Sequence, residues 1–114
     1  MALVNKHVFL SAVALTGNNT SSSKALQLYD KNFGMTIVST SQHADTTVAA
    51  KIQHSNDNTN WHDLASFTNI VGASGGAEYV DITSNVLQYV RSVVTLSGAT
   101  KQATVSIALS YDGK

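Results

Sequence analysis

The stretch QATVSIALSYD, residues 102–112, reads in steps of two. Ala103, Val105, Ile107, Leu109 and Tyr111 fall on one side, and Thr104, Ser106, Ala108 and Ser110 on the other. Successive side chains of an extended chain point to opposite faces, so this is the pattern of a strand with one buried face. A helix would scatter the same apolar residues around its circumference. The pattern recurs upstream. In LQYVRSVVTLSG, residues 87–98, Val90, Ser92, Val94 and Leu96 alternate with Tyr89, Arg91, Val93 and Thr95. In TTVAAKIQHS, residues 46–55, Val48, Ala50 and Ile52 alternate with Ala49, Lys51 and Gln53.

Between these runs lie clusters of Gly, Asn and Ser: TGNNTSSS, KNFG, SNDNTN, VGASGG and SGATK. Such residues tolerate or promote the backbone angles of turns. Strands are expected at about 6–15, 24–30, 35–42, 46–55, 61–67, 77–83, 88–97 and 102–111, with one helical turn at 84–87 and no longer helix. The strands flanking SNDNTN read as a hairpin, and so do the last two, joined at SGAT. About eight antiparallel strands in one chain of this length imply an all-β, two-sheet sandwich of jelly-roll-like form. An up-and-down barrel and an immunoglobulin-like sandwich are the alternatives. There is no repeat, linker or second domain, so residues 1–114 are read as one domain, with 1–23 either an N-terminal arm or a first strand.

The 114 residues carry seven basic and seven acidic side chains, and charged residues are 12% of the chain. No basic patch stands out to neutralise phosphates, which argues against nucleic-acid binding. No apolar run approaches the length needed to span a membrane as a helix. Cysteine is absent, which removes disulfides, thiolate nucleophiles and cysteine-ligated zinc. HVFLSAVALTG, after Lys6, faintly resembles a signal peptide, but the apolar run is short and His7 opens it, so it is read as part of the mature protein.

Chemistry concentrates in KIQHSNDNTNWHDLASF, residues 51–67. His54, Asp57, His62 and Asp63 lie close enough in sequence to raise a metal site, and pairing across the loop would bring the two histidines together. Zinc needs three or four converging ligands, and neither a helical H-x-x-x-H nor an EF-hand pattern is present. The simpler reading is a hairpin tip, because Asp and Asn bond nearby backbone amides in tight turns. Trp61 could stack on a sugar, or anchor the start of a strand. Arg91 could grip an anion or partner, or lie outward and pair with Glu78 or Asp81. No serine sits in G-x-S-x-G and GASGG lacks the lysine and helix of a phosphate loop, so no enzyme and no cofactor is expected.

Gln53 and Ser55, then Trp61, Asp63 and Leu64, then Tyr89 and Arg91, and finally Gly98 occur in an order that resembles a group of small β-sandwich proteins from the structural gene clusters of tailed phages. The resemblance covers about residues 24–111, and its motifs also occur in carbohydrate-binding sandwiches. It implies a virion structural protein of the capsid decoration, or cement, type. Such a protein is made in the host cytoplasm, sits on the capsid exterior as a dimer or trimer, and has the major capsid protein as partner. A tail or fibre component binding a carbohydrate receptor, with Trp61 as the stacking residue, is the alternative. The expected contact residues are Leu3, Val4, Val8 and Phe9 in the apolar N-terminal segment and Asn18 and Asn19 in the following loop.

Overall fold

The computed structural model describes residues 5–112. Among them are ten strands: β1 (Asn5–Leu15), β2 (Asn19–Thr20), β3 (Lys24–Ala25), β4 (Lys31–Thr40), β5 (Thr47–Ser55), β6 (His62–Ser66), β7 (Ile70–Val71), β8 (Gly76–Asp81), β9 (Tyr89–Ser97) and β10 (Ala103–Asp112). One sheet has the order β1-β10-β4-β8, and the other has the order β2-β9-β5-β6, with β3 added to β9 and β7 to β5. All pairings are antiparallel. The protein is an all-β, two-sheet sandwich of jelly-roll-like form.

The period-two pattern sets what lies between the sheets. Met35, Ile37, Val105, Ile107 and Leu109 come from one sheet and Val48, Ile52, Val90, Val94 and Leu96 from the other, each no more than 2% exposed. Burying a side chain of this size is worth roughly 1.5–3 kcal/mol, so this layer dominates the stability. β1 breaks the pattern twice. Its register against β10 slips between Val8 and Leu10 and again between Leu10 and Val13. The first slip lets both Phe9 and Leu10 face the core. At the second, Ala12 adopts φ 49° and its amide donates to Ser106 Oγ at 2.8 Å. These are β-bulges, which bend an edge strand and spoil its ladder for a newcomer.

Several expected elements differ. The strand at 24–30 contracts to Lys24–Ala25, because a turn follows in which Gln27 N donates to Asp30 Oδ2 at 2.8 Å. KNFG is not a turn between strands: it opens β4 through an irregular register, with Asn32 at φ 56°. Residues 84–87 form no helical turn. The largest departure is at SGAT. β9 and β10 do not pair with each other, because the chain crosses there from one sheet to the other. The β4–β5 loop crosses beside it, and the two loops are stitched together. Thr46, fully buried, donates to Thr100 O at 2.7 Å and accepts from Gln102 N at 3.1 Å. Gln42, also buried, accepts from Ser39 Oγ and donates to the carbonyls of Thr46 and Ile70. A buried polar side chain is tolerable only when its donors and acceptors are met, as they are here.

Candidate functional site

The β5–β6 hairpin forms as expected, with His54 opposite His62 and Gln53 opposite Asp63. Its loop is organised by one carboxylate. Asp57 accepts the amides of Thr59 and Asn60, the side-chain amide of Asn60 and the hydroxyl of Ser55, at 2.7–3.0 Å. Ser55 Oγ, itself buried, accepts the amides of Asp57 and Asn58. Asn58 takes the left-handed conformation at φ 60°. Hydrogen bonds to the charged form, those from Asn60 first, hold the Asp57 carboxyl far below the usual carboxylate range. The carboxylate is thus occupied in shaping the turn.

The side chains beyond the loop form a chain of contacts on the outer face of the β9-β5-β6 sheet. Lys51 Nζ lies 3.0 Å from Asp63 Oδ1, which also accepts from Gln53 Nε2 at 3.0 Å. Arg91 Nε donates to Gln53 Oε1 at 2.9 Å, and the guanidinium sits 4.2 Å above the Trp61 ring. The Gln53 hydrogen bond, then Lys51, keeps the Asp63 carboxyl below its ordinary value. Arg91 therefore turns to Gln53 and Trp61 rather than to Glu78 or Asp81. Glu78 instead accepts from Thr68, and Asp81 from the Tyr79 hydroxyl. Trp61 is half-buried, with one ring face under a cation. That is a favourable cation–π geometry, and it covers a surface a sugar would otherwise stack on.

His54 is drawn away from a metal-binding role. Its Nδ1 accepts the Leu87 amide at 3.1 Å. Desolvation first, and then the neighbouring His62, lower its pKa, so the ring is held neutral. Among the described residues no three metal-ligating side chains converge.

Of the expected contact residues, Leu3 and Val4 lie outside the described residues. Val8 is exposed on β1, while Phe9 turns into the core. Asn18 Oδ1 accepts the Leu96 amide at 3.1 Å, and Asn19 pairs with Val94, so both tie the loop to β9. A concavity of about 390 Å³ at one end of the sandwich escapes the sequence reading; Leu26, Asp30, Phe33 and Val86 line it. Close by, His7 stacks on Tyr111 with ring centres 4.8 Å apart. Nothing in the spacing of these residues announces it, because the turn at 26–30, β4 and the segment leading into β9 assemble it.

The fold and the sheet order define a class, the jelly-roll-like β-sandwich. No family model matches the chain, and neither does any curated protein. Solved structures do share the fold. The PBSX exported protein XepA, 16% identical, superimposes with a TM-score of 0.68 over 97% of this chain and 38% of its own. A mutant VP2 protein of infectious bursal disease virus, from derived T=1 particles, is 10% identical with a TM-score of 0.60, over 93% of this chain and 31% of its own. PirA is 14% identical with a TM-score of 0.51, over 98% of this chain and 95% of its own. The chain thus spans about a third of the length of the first two.

Proposed function

We propose that this protein is a virion structural component of the capsid decoration type, which binds the outer capsid surface and bridges major capsid subunits. The observation that carries this reading is the superposition of nearly the whole chain on about a third of a viral VP2 protein from derived T=1 particles, and on about a third of the PBSX exported protein. Fold alone does not assign function, and the same sandwich serves many tasks. The second support is how the polar side chains are used. Asp57, His54 and the Lys51–Asp63–Gln53–Arg91 chain are committed to one another or to backbone, which suits a protein that works through its surfaces. Bridging would stabilise the shell by mass action, since a ligand of the assembled state alone shifts the equilibrium toward it. Symmetry repeats each modest contact over the lattice.

The test is to add the purified protein to particles that lack it and image them. Ordered density on the capsid lattice is expected. Density confined to the tail favours the carbohydrate-binding alternative, to which the half-exposed Trp61 belongs. In that case glycan-array binding should be abolished by Trp61→Ala. Density at neither place overturns both.

A further inference from the structure

The two outer faces of the sandwich differ. The β9-β5-β6 face carries Lys51, Asp63, Arg91 and their partners. The opposite face, on β1-β10-β4-β8, is nearly bare of charge. The register places Val8, Ala108, Thr36 and Tyr79 in one row across its four strands. Val38, on the next row, is 44% exposed; Val8 is 39% and Tyr79 51% exposed. Tyr79 lies over Gly34, where any Cβ would meet its ring, and beside it Lys6, Val8, Thr36, Val38 and Ala108 line a concavity of about 240 Å³. Large apolar side chains on a face whose charges lie at one end mark an interaction surface.

The row at the end of this face says what covers it. The same register sets Lys6, Ser110, Gly34 and Asp81 side by side, with the lysine on one edge strand and the aspartate on the other. Neither makes an ion pair among the described residues. A two-fold axis running along the strands between two such faces exchanges their edges. It sets Lys6 of each copy over Asp81 of the other, and Val8 over Tyr79. We infer that the outer β1-β10-β4-β8 face is the self-association surface of a two-fold dimer of this chain, closed at one end by reciprocal Lys6–Asp81 pairs.

Size agrees. The ten-residue strands β4 and β10 are ~33 Å long and four strands span ~19 Å at the usual spacings. β8, with six residues, covers only ~20 Å of that length, so each copy offers on the order of 500 Å² and two copies bury about 1,000 Å², at the lower limit of specific interfaces. Face-to-face packing is also the mode left open at β1, whose two bulges disfavour adding a strand along its edge. A two-fold contact uses the same patch on both copies, as an isologous interface must. The inference is independent of the capsid reading, since it concerns the chain in solution.

Sedimentation velocity across a concentration series tests it. The wild-type protein should run as a dimer that dissociates on dilution. Val38→Lys, at an exposed site, should leave the circular dichroism spectrum unchanged and give monomer. Lys6→Glu and Asp81→Lys should each weaken the dimer on the order of tenfold, by setting like charges opposite one another. The double variant Lys6→Glu/Asp81→Lys should recover most of the loss, which a merely structural role for either residue would not produce. A wild-type monomer at every concentration, a trimer, or a dimer indifferent to Val38→Lys overturns the proposal. So does a double variant no better than the singles. A monomer that still binds particles, and loses that binding in Val38→Lys, would assign the face to the capsid and not to a second copy.

Discussion

Asp57 and His54 illustrate how single residues in a chemically suggestive stretch serve the backbone. The Asp57 carboxylate gathers two amides, a side-chain amide and a hydroxyl at the hairpin tip. Asp57→Ala should therefore lower the melting temperature. The folded carboxyl is held below its unfolded value, so the stabilisation is present above the unfolded pKa and fades in acid as pH falls toward the folded one. The deficit of the variant should shrink accordingly; a deficit that is constant with pH would show that the charge is irrelevant. His54 acts at higher pH with the same sign. Its folded pKa lies below the ordinary 6.5, so the unfolded chain binds the proton first. Stability from the neutral ring is complete above about 6.5 and is lost as pH drops from there. His54→Asn keeps an acceptor for the Leu87 amide without a titrating ring. Thermal melts between about pH 7 and pH 5 should show a shallower decline for this variant, and an unchanged slope would exclude His54 as a contributor. The turn role of Asp57 is legible from sequence, because an Asx turn needs only neighbours two and three residues away. The partner of His54 is not, because Leu87 lies thirty-three residues off.

At the scale of the element, the crossing from β9 to β10 shows where alternation stops being informative. Each strand reads correctly on its own, yet the turn between them does not make a hairpin. Gly98 adopts φ 115°, and a Cβ there would collide with the Asp45 carbonyl in the neighbouring crossover. Gly98→Ala should destabilise the fold by about 2–3 kcal/mol, measured from the urea midpoint, because both the backbone angle and the contact resist a side chain. A loss below about 0.5 kcal/mol would mean that the two loops can part. Thr46 locks these loops together, and Gln42 braces it from within the same loop and ties that loop to Ile70, but both look like ordinary loop residues in the sequence. The apolar pattern allows a strand over about 6–15, or an N-terminal arm, and the bulges of β1 stay hidden for a related reason. LSAVAL has apolar residues enough for several registers, and only pairing with β10 selects one.

For the whole molecule, the sandwich depends on the layer between its sheets. Ile107 is 1% exposed at the middle of β10, one of two strands flanked on both sides in its sheet. Ile107→Ala should cost roughly 2–5 kcal/mol in chemical denaturation, through lost burial and the cavity left behind. A cost under about 1 kcal/mol would place the core elsewhere. By itself the sequence determined that the chain is all β, which face of β5, β9 and β10 is buried, and that residues 55–60 turn. All three are local properties, written in a period of two and in the turn chemistry of Asp and Asn. Only the tertiary structure decided that β9 and β10 belong to opposite sheets, that Arg91 lies on Trp61, and that Lys6 and Asp81 end one row. Strand partners are chosen by which pairing closes the core as a whole, and distant residues carry no mark of it along the chain.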